Sequence, residues 1–266
     1  MDNDQEKESV EKPLISIITV VFNGEKYLAQ TIESVINQTY QNIEYIIIDG
    51  GSTDGTHDIV ERYKKHISYF VSEPDEGLYD AMNKGIALAK GQLIGMINSD
   101  DWYELNTVKL MVDAYRNNPS KTIFHADRFD IDDDDSKKVR KFNASVFKFK
   151  YYGMTYNHPS MFITNTEYEK HEYNITLRSL SDYQFVLEAF LRDEKTFHYI
   201  ASPLVNYRLD GISAQISTLQ ALREGMVVTK ITGYSFCKRM LSLSVRFTMF
   251  SLYKNYLKFR AFLGGK

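Results

Sequence analysis

Two short apolar runs early in the chain end abruptly on acidic residues, and this pattern constrains the fold more than any other feature. The run Gln92–Ile97 leads to the acid pair Asp100 and Asp101, and the run Ile43–Ile48 leads directly to Asp49. Runs of this length and composition are typical of strands buried on both faces of a parallel sheet. The carboxyl ends of such strands meet at one crevice, where ligands bind. The two acidic tips are therefore expected to share a ligand site.

Strand-like and helix-like patterns alternate from the amino terminus to about residue 103. Apolar, β-branched runs are separated by segments whose apolar residues recur at spacings of three and four, which is typical of amphipathic helices. The strand-like runs are Leu14–Val21, Ile43–Ile48, Ile67–Val71 and the run that ends at Asp100. This alternation favours a parallel sheet with right-handed crossovers. The predicted fold class is α/β, with a Rossmann-like, mostly parallel sheet flanked by helices.

After Pro119 the pattern changes to short strand-like runs with one clear helix pattern at Asp182–Arg192. The acidic run Asp132–Asp135 lacks the glycine and the closing glutamate of an EF-hand loop, so a solvated hairpin tip is favoured over calcium binding. The predicted strands of this region are Thr122–Phe129, Val139–Phe142, Met161–Thr164, Phe197–Ala201 and Leu204–Arg208.

Composition limits the class of protein. At 266 residues and 43% apolar, the chain can bury the core of one α/β domain with an appendage. One cysteine, Cys237, excludes an internal disulfide and fits a reducing compartment such as the cytoplasm. The polar leader 1–12 lacks the apolar core of a signal peptide, and we expect it to be disordered. No run of 18 or more apolar residues is present, so no membrane span is predicted.

The carboxy-terminal segment differs in charge from the rest of the chain. Residues 225–266 contain eight Lys or Arg and no Asp or Glu, so the preceding residues carry −11 within a net charge of −3. Apolar residues at spacings of three, four and seven predict an amphipathic helix with cations such as Arg246 on its polar side. Two roles stay open, namely contact with an anionic membrane surface and packing on the protein or a second subunit. Nucleic acid is disfavoured, because the acidic remainder would repel phosphate.

Several motifs of other enzyme classes are absent. The glycine-rich turn after Asp49 has neither the Gly-x-Gly-x-x-Gly spacing of a dinucleotide site nor the Gly-Lys-Ser/Thr ending of a P-loop. One cysteine and six scattered histidines provide no zinc-ligand spacing, and no Gly-x-Ser-x-Gly turn is present. What remains is a site built from carboxylates, which could hold a metal, hold a ribose or act as a base.

Four motifs in order resemble family 2 glycosyltransferases of the GT-A fold, over residues 14–103 and more weakly to about residue 210. The motifs are Thr19–Asn23, Ile36–Tyr40 with Glu44, Ile48–Thr56 and Asn98–Asp101. A further segment, Ser72–Gly85, is similar to enzymes that build bacterial surface polysaccharides. The resemblance implies inverting transfer of a sugar from a nucleotide-sugar donor such as a UDP-sugar. The implied acceptor is a glycan or lipid-linked glycan, at or near the inner face of the cell membrane.

The resemblance also implies roles for individual residues. The segment that cradles the nucleobase matches Thr19, Val21 and Phe22. Asp49 matches an acid that reads the base, but relatives often carry a second acid where this chain has Gly50, so Asp49 or a backbone group must replace it. Asp101 matches a direct ligand of Mg²⁺ or Mn²⁺, and Asp100 is expected nearer the ribose. Such a cation would neutralise the charge that develops on the departing diphosphate.

Inverting transfer also needs a carboxylate to take the proton of the acceptor hydroxyl. In the family this base lies at the start of a helix, a position that Asp182 matches, and the alternative for Asp182 is a helix N-cap. His158 is expected either to line the site or to serve as a structural histidine. Asp75, Glu76 and Trp102 are further candidates for lining the site. The alternative is a solvated loop for Asp75 and Glu76 and a core position for Trp102.

The expected organisation is a leader (1–12), a GT-A domain (13–210) and a basic helical extension (211–266). Within the domain we expect a nucleotide-sugar-binding half (13–103) and an acceptor-side half (104–210). Two other functions stay open from sequence. A sugar-phosphate nucleotidyltransferase is disfavoured, because the turn after the first strand is poor in the Gly, Lys and Arg that grip a triphosphate. The second is a catalytically silent membrane or assembly subunit. The oligomeric state is open.

Overall fold

The computed structural model describes residues 12–132, 134–209 and 217–264. The predicted disordered leader therefore lies outside the described residues, except for Lys12. The predicted hairpin tip is described apart from residue 133, and the join between the predicted domain and its extension falls in 210–216, outside the described ranges.

Four parallel strands form the first half of the sheet, in the spatial order β3-β2-β1-β4. Their bounds are β1 (Ile15–Val21), β2 (Ile43–Asp49), β3 (Tyr69–Ser72) and β4 (Leu93–Asn98). The helices between them are α1 (Leu28–Ile36), α2 (Thr56–Tyr63) and α3 (Leu78–Leu88). The chain leaves β1 towards β2 on one side and later returns to β4 on the other. This reversal creates a crevice at the carboxyl ends of β1 and β4.

The second half of the sheet is mixed. Beyond β4 the order is β8-β6-β9-β5, with β7 on β6. Antiparallel β8 joins β4 to β6, β9 runs parallel to β6, and β5 is antiparallel to β9. The strands are β5 (Trp102–Tyr103), β6 (Ile123–Ile131), β7 (Lys137–Arg140), β8 (Phe162–Thr164) and β9 (Phe197–Arg208). The helices are α4 (Thr107–Asn117), α5 (Val146–Tyr151), α6 (Asn165–Tyr168), α7 (Ser181–Arg192), α8 (Thr218–Ile231) and α9 (Phe236–Gly264).

The core forms two apolar layers, one on each face of the sheet. Neighbouring residues of β1 point to opposite layers, with Ile18 in one and Ile17 in the other, as the pleat of a strand requires. Every residue of β1 is buried. A strand covered on both faces has no solvated side, which is why its sequence shows a continuous apolar run rather than alternation.

The predicted α/β class is confirmed, and the details of the second half differ from expectation. The two strands predicted over Phe197–Ala201 and Leu204–Arg208 form the single strand β9. The register between β6 and β9 shifts on both sides of Asp127, and this irregularity admits Pro203 into the strand. Proline lacks the N–H that a regular ladder needs, so it is tolerated where the pairing is irregular.

The carboxy-terminal helix packs on the domain through part of its basic side. Arg246 of α9, predicted on a polar, lipid-facing side, is 2% exposed. Its guanidinium lies 5.3 Å from the centroid of the Tyr183 ring and against Gly225 of α8. Packing on the domain, one of the two roles left open by the sequence, is therefore present for this part of α9. In the ranges described, no helix is long and apolar enough to cross a bilayer.

Candidate functional site

Several of the predicted site residues lie at or near the carboxyl ends of the first four strands. Val21 is the last residue of β1 and pairs with Asp49 at the end of β2, while Val20 pairs with Asn98 at the end of β4. Phe22 follows β1 directly and exposes 61% of its surface. An aromatic ring held open at a strand end is suited to contact a planar ligand.

Asp49 is fully buried, and its carboxylate is used by the protein itself. The Ser52 amide and hydroxyl, the Ser72 hydroxyl and the His57 imidazole all lie within 3.1 Å of its oxygens. Burial alone would raise the pKa of Asp49, but the hydrogen bonds from Ser52, Ser72 and His57 outweigh it and hold the pKa below its ordinary value. A carboxylate has about four acceptor positions, and four donor groups already surround this one. Asp49 therefore organises the turn, and its predicted contact with a base stays a prediction.

The acid pair after β4 divides into one accessible and one buried carboxylate. Asp101 is 1% exposed, and its two oxygens accept hydrogen bonds from the Arg208 amide at 3.0 Å and the Asn98 side chain at 3.2 Å. Burial, with the adjacent charge of Asp100, raises the pKa of Asp101 well above its ordinary value. Asp100 lies in the turn between β4 and β5 and is half-buried. The pair separates because this turn, closed by a bond from the Asp101 amide to the Asn98 carbonyl, directs successive side chains apart.

This separation bears on the roles predicted from sequence, in which Asp101 is the metal ligand and Asp100 lies nearer the ribose. Burial keeps Asp101 from solvent and from a cation, whereas Asp100 retains part of its exposed surface. Within the described part of the chain, no group of three or more His, Cys, Asp or Glu is placed to hold a metal ion. Mg²⁺ commonly binds through one or two carboxylates, with water and substrate phosphates completing its shell. The residues present therefore fit a metal that arrives with a diphosphate and do not fit a closed protein site.

Asp182 is the second residue of α7 and is half-buried. Its Oδ1 accepts hydrogen bonds from the Tyr79 hydroxyl at 3.0 Å and from the Tyr183 amide at 2.8 Å. The N-cap residue is Leu180, which makes no side-chain cap, so the capping alternative for Asp182 does not hold. Burial, with the charge of Asp182, raises the pKa of Tyr79 well above its ordinary value. Tyr79 therefore stays protonated and remains a hydrogen-bond donor to Asp182.

His158 lies close to Asp182. Its Nε2 is 3.1 Å from the Tyr173 hydroxyl, and that hydroxyl is 3.2 Å from the hydroxyl of Tyr168. Burial lowers the pKa of His158, and the nearby charge of Asp182 opposes this only in part. The neutral imidazole thus belongs to a tyrosine network behind Asp182, which fits the structural role as well as the site-lining one.

The remaining predicted residues differ in how they reach the crevice. Asp75 is half-buried beside Gly50, and Glu76 is exposed. Trp102 lies in β5 under the guanidinium of Arg208, at 4.8 Å from the ring centroid, so one face of its ring is already covered. Thr19 does not reach the crevice, because it lies two residues before the end of β1. It is fully buried, with its hydroxyl 3.0 Å from that of Tyr45.

Three residues that sequence reasoning missed support the site from outside it. Tyr79 holds Asp182, and Arg208 holds Asp101 through its amide and covers Trp102. Glu224 of α8 accepts hydrogen bonds from the backbone amides of residues 178–180 and from the Ser179 hydroxyl, just before α7. One signal was available for Glu224, because it is the last acid before the all-basic carboxy-terminal segment.

Sequence comparison identifies the family and its relatives. The profile of Glycosyl transferase family 2 matches residues 16–172. The chain is 29% identical over 216 residues to the chondroitin synthase of Escherichia coli, covering 80% of this chain and 31% of that protein. It is 42% identical over 97 residues to the putative glycosyltransferase EpsH of Bacillus subtilis, covering 36% of this chain and 28% of that protein. The chain thus spans about a third of the length of these two relatives.

Solved structures show the same fold at low identity. The crystal structure of S. aureus TarS in complex with UDP-GlcNAc matches with a TM-score of 0.67 at 16% identity, covering 88% of this chain and 71% of that chain. The mannosyltransferase PcManGT from Pyrobaculum calidifontis, in complex with GDP-Man and Mn²⁺, matches with a TM-score of 0.57 at 14% identity. That match covers 81% of this chain and 61% of that chain. The likeness establishes a common arrangement of strands and helices.

Proposed function

Because the chain belongs to glycosyl transferase family 2, we propose that it moves a sugar from a UDP-sugar to a hydroxyl of a glycan, with inversion and with a divalent metal. The observation that supports this proposal is that two predicted site carboxylates, Asp100 and Asp182, are each half-buried rather than enclosed in the core. Asp100 lies at the strand-end crevice, and Asp182 lies at the start of α7, held by Tyr79. Asp100 would act at the departing diphosphate, and Asp182 would act at the attacking hydroxyl.

Asp182 is assigned as the base that takes the proton of the acceptor hydroxyl. Its Oδ1 is used by Tyr79 and Tyr183, so Oδ2 is the oxygen left to approach a hydroxyl. The tyrosine donor fixes the carboxyl plane, and a base held in one orientation loses less entropy when the proton is transferred. Direct attack from the face opposite the leaving group inverts the sugar, as it does when paired carboxylates act in inverting glycosidases.

Asp100, rather than Asp101, is assigned to the metal. A bound Mg²⁺ or Mn²⁺ would supply positive charge to the diphosphate as the sugar leaves. The accessible carboxylate of Asp100 would hold such an ion, and the buried carboxylate of Asp101 keeps the turn and the Arg208 backbone in place. The Mn²⁺ and GDP-mannose in the PcManGT complex and the UDP-GlcNAc in the TarS complex support a donor of this chemical class.

The acceptor is proposed to be a growing surface polysaccharide, for which the likeness to chondroitin synthase is the support. Peripheral membrane contact through 225–266 stays a prediction. Arg246 is withdrawn into the fold, yet Phe236, Phe247 and Leu252 of α9 expose 60% or more of their surface. Co-sedimentation with anionic and neutral lipid vesicles, comparing the chain with its Phe247→Glu variant, tests that role.

A donor screen tests the proposed function. The chain would be incubated with UDP- and GDP-sugars, with a polysaccharide oligomer as acceptor, in Mn²⁺ or in EDTA. We expect release of UDP that requires the metal, and a product whose new linkage has the anomeric configuration opposite to that of the donor. Failure of every nucleoside diphosphate to bind would refute the proposal. Pyrophosphate release from a nucleoside triphosphate and a sugar phosphate would instead establish a nucleotidyltransferase.

A further inference from the structure

We propose that Asp75, from the loop after β3, supplies the carboxylate that reads the donor base, and that Gly50 is a glycine because this carboxylate occupies its side-chain space. The inference rests on the proposed function, because it names the residue that makes the same donor site selective for uridine. It also answers a question that the sequence left open, namely what replaces an acid at position 50.

The space beside Gly50 is the first observation. A Cβ atom on Gly50 would overlap the Oδ2 of Asp75 and would lie 3.0 Å from its Cγ. Any side chain at position 50 would therefore displace this carboxylate. The amide of Gly50 donates to the Val21 carbonyl at 2.9 Å, which places the Asp75 carboxylate beside the end of β1. The exposed ring of Phe22 follows there, so an aromatic face and a carboxylate flank the same end of the crevice.

The loop that carries Asp75 is held over the turn after β2. The Glu73 amide donates to the Asp49 carbonyl at 3.0 Å, and Gly51, at a φ of +86°, lies under the backbone of Pro74. The Lys84 Nζ lies 2.9 Å from the Glu73 carboxylate and donates to the Pro74 carbonyl at 3.3 Å. These contacts fix the position of Asp75 without using its carboxylate.

The carboxylate of Asp75 retains acceptor capacity. Its Oδ1 accepts a hydrogen bond from the Gly77 amide at 2.9 Å. Across the described ranges, no Lys, Arg or His lies within ion-pair distance of it. Asp49, the acid expected to read the base, has no acceptor position left. Of the two acids at this end of the crevice, Asp75 is therefore the one that can accept a hydrogen bond from a ligand.

The chemistry of this acceptor favours uracil. The N3 of uracil carries a hydrogen and donates to a carboxylate, and hydrogen bonds to charged acceptors are among the stronger ones. The N3 of cytosine is itself an acceptor, so its lone pair would repel the same carboxylate. Asp75 therefore both favours uridine and disfavours cytidine, which is specificity by attraction and by repulsion together.

The test compares UDP and CDP as probes, by isothermal titration with Mn²⁺, on the full chain and its variants. We expect Asp75→Asn to weaken UDP binding by about ten- to a hundredfold. CDP binding is expected to hold or improve, because the Asn amide can donate to cytosine N3. Asp58→Asn removes the same charge from an exposed side chain of α2, and we expect it to change neither affinity by more than about twofold.

A second pair of variants tests the shared space. Gly50→Asp alone is expected to weaken UDP binding, and Gly50→Asp combined with Asp75→Gly is expected to bind UDP more tightly than Asp75→Gly alone. Unchanged preference for UDP over CDP in Asp75→Asn would overturn the inference and leave the proposed function standing. If the unmodified chain binds no nucleoside diphosphate, the proposed function itself fails, so the two failures are distinguishable.

Discussion

The two halves of the sheet place their functional side chains in different ways. In residues 12–103, Phe22, Asp49 and Asp100 lie at or directly after strand ends, so the backbone of the sheet itself positions them. In residues 104–264, Asp182 depends on distant partners, because Tyr79 of α3 holds its carboxylate and Glu224 of α8 holds the loop that precedes it. Side chains that strand ends position are expected to tolerate substitutions elsewhere in the protein. A side chain that distant contacts position is expected to be sensitive to substitutions at those contacts.

The largest effect on turnover is expected at Asp182, the proposed base. Asp182→Asn removes the proton acceptor, and general base catalysis typically contributes about 10² to 10⁴ in rate. We expect kcat to fall by that factor while the dissociation constant of UDP stays within about twofold. Steady-state kinetics and titration on the same preparation measure both. Asp58→Asn, on the exposed face of α2, is the control for a lost charge. Near-normal turnover in Asp182→Asn would show that another group takes the proton.

The next largest effects distinguish Asp100 from Asp101, the two acids after β4. Asp100→Asn is expected to lower metal-dependent turnover about a hundredfold or more, because a metal supplies several kcal/mol of charge stabilisation to the leaving group. Because Asp100 is half-buried and Asp101 is fully buried, the free energy of unfolding is expected to change less than in Asp101→Asn. Asp101→Asn is expected instead to cost about 1–3 kcal/mol of stability, because an amide has one acceptor oxygen and leaves either the Arg208 amide or the Asn98 side chain without its partner.

The measurements are Mn²⁺ titration of turnover and urea denaturation of both variants. The opposite result, with metal dependence lost in Asp101→Asn and kept in Asp100→Asn, would restore the assignment that the sequence suggested. Either outcome shows whether the half-buried acid or the buried acid after β4 binds the metal.

A smaller effect tests whether the position of Asp182 depends on tertiary support from Glu224. Glu224→Gln weakens the acceptor for three amides and one hydroxyl before α7, and we expect a loss of about 1–3 kcal/mol in stability. We also expect kcat to fall about tenfold with little change in donor binding, because the base would be less well placed. Gln220→Ala, which removes one donor to the same carboxylate, is the matched milder variant.

The loss of stability in Glu224→Gln is expected to depend on pH in one direction. Burial raises the pKa of Glu224, but hydrogen bonds from Gln220, Ser179 and the backbone outweigh it, so the folded-state pKa lies below the ordinary value of 4.5. The stabilisation is then fully present above about pH 4.5 and is lost as the pH falls through the folded-state pKa. The stability gap between the chain and Glu224→Gln should therefore be widest near neutral pH and close in acid. A gap that widened in acid would contradict this role.

The smallest effect is expected at Thr19. Its hydroxyl bonds to Tyr45 in the core, so Thr19→Val should leave UDP affinity within about twofold. The Tyr45 hydroxyl would lose its partner, at a cost of about 1–3 kcal/mol in the free energy of unfolding. Thermal denaturation and titration with UDP check both. A large loss of UDP binding without a loss of stability would place Thr19 in the donor site after all.

Much of the structure of residues 12–103 was predictable because its signals are local. The apolar runs, the strand ends and the order of motifs lie in contiguous residues, and each strand was located to within two or three residues. The positions of Asp49 and Asp100 near strand ends were predictable for the same reason. The split between Asp100 and Asp101 was not predictable, because a one-residue difference in a turn decides which side chain faces solvent and which accepts the Arg208 amide from a strand more than a hundred residues later.

The amino-acid sequence alone predicts the fold class, the strands of the parallel half and a site built from carboxylates, because periodicity and residue type act within a few positions along the chain. The three-dimensional contacts were needed to show that Asp75 fills the space of Gly50 and that Tyr79 and Glu224 support Asp182. They also show that Arg246 is buried, which favours packing on the domain for this part of a helix whose role the sequence left open. Each of these facts depends on atoms that meet across loops and helices far apart in sequence, where no local pattern records the distance.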